Sequence, residues 1–226
     1  MHRTIEPQAV TQINHRGNER AASAPHADQE SEGPTYPGTC AHRRTADAAL
    51  LQGCPCAWRF RAGTRTPAFQ DGYRGLVQLD LGRCGGDFVV WKAAGTPAYQ
   101  LAVVVDDAAC GVTDVVRGDD LIPSTPRQLL LYQALEWAAP AFTHVPLVVG
   151  PDGRRLAKRH GDTRLATLRD AGVRPEMLIG MLAWSCGWIE RIEPVAAKDL
   201  LAPFRLESIP REPFTLTLEL LRYLGV

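Results

Sequence analysis

The sequence predicts an α/β protein, on three observations. Apolar runs of strand length occur at residues 87–92, 99–105, 112–116 and 144–149. Segments with helical spacing follow at 125–135, 165–171 and 175–186. Turn signals rich in Gly, Pro and Asp separate the two kinds. Such alternation argues for layered helices on a largely parallel sheet. The 226 residues, 45% of them hydrophobic, suffice for a buried core in one large or two small domains.

In chain order, residues 1–20 are polar, hold no apolar leader and are expected as a poorly ordered tail. Residues 21–85 are rich in Gly, Pro, Ser, Thr, Arg and His, with apolar patterning only at 57–61 and 76–81, so an irregular insertion is expected. The strands and the first helix belong to residues 86–164. The run at 99–105 is almost continuously apolar and reads as a strand buried on both faces. Asp106 and Asp107 after it suit helix capping and structural hydrogen bonds. The strand at 112–116 ends beside Arg117.

Ser124 or Thr125 then offers an N-cap, Pro126 fits a first turn, and Leu129, Leu130, Gln133 and Ala134 supply a helical stripe. A further strand at 144–149 closes on the turn Gly150-Pro151-Asp152-Gly153. Residues 165–226 form a helical part. Gly172 ends one helix there and Pro175 opens the next, whose Met177, Leu178, Met181, Leu182 and Ser185 share a core face. A Pro-punctuated linker and a short terminal helix occupy 209–226.

Composition restricts function less than it restricts fold. Lys plus Arg and Asp plus Glu both number 25, so no bulk positive field advertises a nucleic-acid partner, though a local basic strip still serves phosphates. The six cysteines lie scattered in a chain without a secretory leader, which favours reduced thiols or a metal site over a disulfide framework. No apolar run approaches a membrane span. A cytoplasmic monomer with no membrane partner is expected.

Two places carry chemistry. The strip Arg154, Arg155, Lys158 and Arg159 follows a strand and a tight turn. It reads either as a solvated basic loop or as one that closes several cations onto a polyphosphate. Tyr99 and Arg117 are the other place. On residue chemistry, Tyr99 is a half-buried aromatic or a directional hydrogen-bond donor. Arg117 is an ion-pair partner of Asp119 or Asp120, or a bidentate clamp for a ligand carboxylate at a strand end.

The run 97–132, with Pro97-Ala-Tyr-Gln-Leu-Ala-Val-Val-Val-Asp-Asp107, Gly111-Val-Thr-Asp-Val-Val-Arg-Gly-Asp-Asp-Leu121 and Ser124-Thr-Pro-Arg-Gln-Leu-Leu-Leu-Tyr132, resembles glutamyl-type class I aminoacyl-tRNA synthetases. Residues 144–159 resemble the same branch, with Arg155-Leu156-Ala157-Lys158-Arg159 at the place of the Lys-Met-Ser-Lys-Ser signature. Ala21-Ala-Ser-Ala-Pro-His26 and Tyr36-Pro-Gly-Thr-Cys40 resemble the zinc-bearing insertion of the glutamyl-queuosine tRNA(Asp) synthetases.

The resemblance implies the C-terminal part of a Rossmann-like catalytic domain with a small helical tail that contacts tRNA. It implies ATP-dependent activation of L-glutamate with Mg2+, then transfer to queuosine of tRNA(Asp). Lys158 is implied as the catalytic lysine and ATP ligand, with Arg155, Leu156 and His144 as further ATP-binding residues. Tyr99 and Arg117 are implied as glutamate-binding residues.

The chain also departs from the family pattern. Tyr36 and Cys40 match two zinc ligands, but Thr11, Gln12 and Ile13 stand where a Cys-x-Cys pair is expected, leaving the metal site incomplete. Cys54 and Cys56 have chelating spacing and offer one rescue with Cys40 and Tyr36 or His42. His15-Arg16-Gly17-Asn18 has the letters of the amino-terminal ATP signature without its strand and helix context. The first strands and helices of the fold are therefore expected to be absent. Three readings remain open: an active ligase, a catalytically inactive remnant or tRNA-binding module, and a fragment of an ordinary glutamyl-tRNA synthetase.

Overall fold

The computed structural model describes the backbone of residues 10–14, residues 36, 38, 41 and 43, and residues 56–82, 86–156 and 165–225. These fall into two compact units. One comprises residues 1–117 and 121–143, the other 118–120 and 144–226.

In the first unit, β1 (Val10–Asn14), β2 (Cys56–Phe60) and β5 (Phe88–Trp91) form a sheet in the order β1-β2-β5, with both pairings antiparallel. β1 lies within the segment expected as a tail. The register sets Phe60 opposite Phe88, and their rings stack with centroids 5.4 Å apart. A second sheet has the order β4-β3-β7-β6, from β3 (Ala68–Asp71), β4 (Gly75–Gln78), β6 (Asp114–Gly118) and β7 (Ala141–Val145).

The pairing is mixed rather than largely parallel. β3 and β7 run parallel, but β3 and β4 are antiparallel because only three residues join them. So short a link cannot make the crossover that parallel strands need. Asp71 fixes the turn: its Oδ1 accepts from the backbone N–H of Tyr73 at 3.0 Å and of Arg74 at 2.7 Å. Gly75 leaves the turn at φ 82, where a side chain would be strained.

The run from Tyr99 is a helix, not a strand. α1 spans Tyr99–Cys110 and stops at Gly111, whose left-handed φ of 68 lets its N–H reach the carbonyls of Ala108 and Asp107. Leu101, Val104 and Ala108 recur at helical spacing and meet the core, with Val104 fully enclosed. A continuous apolar run satisfies a strand and a buried helix equally, and here length and the closing glycine decide. Asp106 and Asp107 consequently ride inside α1 and do not cap it.

The strand at 112–116 is found as β6, shifted by two residues. A 3₁₀ turn, Asp119–Ser124, leads into α2 (Thr125–Ala134). Neither expected cap serves as one, since Ser124 sits at the N-cap with a helical φ of −76 and makes no side-chain cap bond. The core joins β2 and β5 to α1 and α2 through Phe60, Phe88, Val90, Val104, Leu130 and Leu131. Leu131 is completely buried. Truncating such a residue to alanine costs about 2–5 kcal/mol.

The second unit holds β8 (Val148–Val149) and β9 (Phe214–Thr215), paired parallel, with α3 (Leu165–Asp170), α4 (Pro175–Ser185) and α5 (Leu218–Leu224). The single strand expected at 144–149 is two strands in different sheets. Pro146 lies between them and has no N–H to extend a ladder. α3 ends before Gly172 at φ 83, and α4 begins on Pro175, as the sequence predicts. Met181, with Met177 and Leu178 beside it, packs against Leu168, Leu216, Leu221 and Leu224. Thr217 caps α5 by accepting from Leu220 N–H at 3.3 Å. Among the described residues, no helix is long and apolar enough to cross a membrane.

Candidate functional site

The first unit builds a polar seam at the starts of α1 and α2. Arg117 stands next to last on β6, and its Nη2 donates to Thr125 Oγ1 at 2.7 Å and to the Leu121 carbonyl at 3.4 Å. Its guanidinium carbon lies 5.1 Å from the Phe142 ring centroid. Hydrogen bonds and a ring face thus set the plane of the fork, as bidentate recognition requires. Thr125 is wholly buried, which explains why its hydroxyl serves Arg117.

The neighbouring Ser124 accepts a hydrogen bond from Gln100 Nε2 at 3.0 Å. Gln100 and Ser124 are both buried, and the bond ties the start of α1 to the start of α2. Tyr99, one residue before Gln100, is the first residue of α1 and is 42% exposed. One connected path therefore runs Tyr99–Gln100···Ser124–Thr125···Arg117. Sequence reasoning named only its two ends. The middle was readable only as cap chemistry, and Gln100 gave no signal.

α2 carries further buried polar groups. Arg127 is 3% exposed and donates through Nη1 to the Pro123 carbonyl at 3.2 Å. Burial lowers its pKa to about 10. Gln128 and Tyr132, one helical turn apart, are both buried. Gln128 Nε2 and the Tyr132 hydroxyl have no hydrogen-bond partner among the described residues.

In the second unit, the loop after β8 is closed by its own backbone. Gly150 N–H donates to the Arg154 carbonyl at 2.8 Å, and Gly153 N–H to the Gly150 carbonyl at 2.9 Å. Asp152 Oδ1 accepts from Arg154 N–H at 3.0 Å. Arg155 bridges back to Val149, and its guanidinium pairs with Asp120 Oδ2. Leu156 is half-buried and packs against the second core. An ion pair and an apolar anchor thus hold the base of the loop two residues before Lys158. Lys158 itself lies outside the described residues. His144, on β7, has no exposed surface.

Of the expected metal ligands, Tyr36 and Cys56 are half-buried, with Cys56 the first residue of β2, whereas Cys40 and Cys54 lie outside the described residues. Among the described residues, no group of three His, Cys, Asp or Glu side chains converges as a metal site would need. The Arg59 guanidinium stands 4.3 Å from the centroid of the Tyr36 ring. Burial pulls the Arg59 pKa below its ordinary value, while Tyr36 and Asp87 act against that shift.

The model for class I tRNA synthetases (E and Q), catalytic domain, matches residues 13–202 of this chain, and the chain belongs to that family. The glutamyl-Q tRNA(Asp) synthetase of Symbiobacterium thermophilum is 50% identical over 201 residues, which is 88% of this chain and 61% of that protein. The protein of the same name from Nocardia farcinica is 45% identical over 88% of this chain and 61% of its own length. The glutamate–tRNA ligase of Geobacter sulfurreducens is 40% identical over 81% of this chain and 38% of its own. The solved glutamate-tRNA synthetase of Elizabethkingia anophelis superposes with a TM-score of 0.73 at 24% identity, covering 97% of this chain and 50% of that one. The chain thus spans about three-fifths of the glutamyl-Q relatives it matches.

Proposed function

We propose that this chain is the part of a glutamyl-queuosine tRNA(Asp) synthetase that holds glutamate and carries the ATP-loop lysine. The observation that supports this best is the path from Tyr99 through Gln100, Ser124 and Thr125 to Arg117. It joins the two glutamate-binding candidates through one buried and one partly buried hydrogen bond, at the end of β6. Arg117 takes a substrate carboxylate, and the half-exposed Tyr99 hydroxyl supplies a directional bond to it. The naming of the relatives at 50% and 45% identity favours the queuosine branch.

Lys158 stabilises negative charge developing on the α-phosphate of ATP as the glutamate carboxylate attacks and pyrophosphate departs. Arg155 and Leu156 set the loop that delivers it. Mg2+ enters with the ATP phosphates. His144, being enclosed, supports the strand beneath the loop instead of touching nucleotide. The Rossmann-like part of the fold seats the nucleotide, and residues 165–226 contact the tRNA, with the protein acting as a cytoplasmic monomer.

Glutamate-dependent ATP–pyrophosphate exchange by purified protein tests the activation step, and its absence assigns the chain to a non-catalytic role. Labelled glutamate appearing in queuosine-containing tRNA(Asp), and not in tRNA(Glu), is the expected outcome of transfer. The reverse preference identifies a piece of an ordinary glutamate–tRNA ligase, the second reading, which the Geobacter relative supports at 40% identity.

A further inference from the structure

Arg117 ends a row of side chains that crosses three neighbouring strands. β3, β7 and β6 lie side by side in the second sheet and carry Phe69, Phe142 and Arg117. The rings of Phe69 and Phe142 meet edge to face with centroids 6.3 Å apart, and the Arg117 guanidinium carbon stands 5.1 Å from the Phe142 centroid. The turn after β3 grips the same residue. Gly72 N–H donates to the Phe142 carbonyl at 2.8 Å, and the ladder pairs Asp71 with Phe142. Phe142 is buried, and in a close-packed setting its ring has little room to swing.

Ring and hydrogen bonds constrain different motions. The bonds from Nη2 to Thr125 and Leu121 place one corner of the guanidinium. A ring face at cation–π distance resists tilting of the guanidinium plane, whatever its nitrogens are bonded to, and holds a desolvated cation more strongly. For a planar fork the plane matters as much as the position, because a carboxylate is met by two parallel N–H groups. A leucine at 142 would fill much of the same space and offer no face. Phe69, as an edge-to-face partner, favours one orientation of the Phe142 ring.

We propose that Phe142 is a positioning residue for Arg117, and that the hairpin of β3 and β4 holds it in that role through Phe69 and Gly72. That the fork so oriented serves glutamate rests on the function proposed above. In nuclear magnetic resonance spectra of the isotope-labelled full chain, the Arg117 Nε–H signal is identified by its loss in Arg117→Lys. Phe142→Leu is expected to move that signal towards the position of a free arginine and to speed its exchange with water about tenfold, as the loss of a desolvated cation–π contact implies. Phe142→Tyr, which keeps the ring, retains the signal, and Phe69→Leu moves it part of the way. Leu131→Ala weakens the same unit from its core and leaves the signal in place. A signal that Phe142→Leu does not move, or that Leu131→Ala moves as far, overturns the proposal. If Phe142→Leu fails to fold, Phe69→Leu decides by the same comparison. Added L-glutamate is expected to shift the signal, at about tenfold higher concentration in Phe142→Leu than in the unmodified chain. No shift with glutamate rejects Arg117 as its ligand, while the variants still decide whether the ring orients the fork.

Discussion

Gln100 Nε2 donates to Ser124 Oγ across 3.0 Å in a buried setting, and this bond sets the starts of two helices side by side. It has consequences for both glutamate-binding candidates. Replacing either partner by alanine removes this bond from a buried setting, at about 1–3 kcal/mol. The double variant is expected to cost less than the sum, with a coupling of roughly 1 kcal/mol in denaturant unfolding. Strict additivity would show that the two helices are not joined there.

Thr125→Val removes the hydroxyl that orients Arg117 while preserving shape. The expected result is a higher KM for glutamate in pyrophosphate exchange, with kcat changed much less. Arg117→Lys keeps the charge but loses the planar fork and is expected to impair glutamate use more severely. Equal effects on kcat and KM would argue against a positioning role for Thr125.

The Arg155–Asp120 pair is solvent-accessible, so Asp120→Asn is expected to change stability by less than about 1 kcal/mol. Its effect should instead fall on exchange rate, through the loop that carries Lys158. Lys158→Ala is expected to lower exchange about 100-fold or more, in line with the loss of one preorganised donor to a developing charge. A Lys158 variant with normal exchange would remove the lysine from the mechanism.

Tyr132 carries a buried hydroxyl without a partner among the described residues, and burial together with Asp107 raises its pKa above the ordinary 10.0. The folded state therefore favours the protonated phenol. That contribution is complete below pH 10 and is lost as pH rises through the folded value. Tyr132→Phe should be neutral or stabilising by up to about 1 kcal/mol at neutral pH. It should also flatten the alkaline decline in thermal midpoint. A clear loss of stability on this change would mean that the hydroxyl is satisfied in solution.

Gly180, in α4, is the place where a later segment presses onto the helix. A Cβ there would overlap the backbone carbonyl of Glu193, and Val195 N–H already donates to the Glu176 carbonyl at 3.0 Å. Gly180→Ala should therefore destabilise the second unit by about 1–3 kcal/mol, despite alanine's better helix propensity. Circular dichroism melts of the two chains measure the difference.

Much of the second unit was legible because its signals are local. Gly172 and Pro175 punctuate α3 and α4, and Met177, Leu178 and Met181 repeat at helical spacing, so neighbouring residues alone define the face. The turn at 150–153 was legible for the same reason. The first unit was harder. The apolar run from Tyr99 satisfies two periods, the short link after Asp71 hides an antiparallel hairpin, and Ser124 and Thr125 look like caps until their distant partners are known.

By itself the sequence determined the family, the expected places of Lys158, Tyr99 and Arg117, and the departure from the family's cysteine pair at residues 11–13, because residue identity and order are sufficient for these. The tertiary structure alone decided that Tyr99 opens a helix, that Gln100 and Ser124 link the two candidates, and that Arg59 lies on Tyr36. These contacts join residues more than twenty positions apart, and hydrogen bonds and ring contacts at that separation depend on how the chain packs, not on any pattern within it.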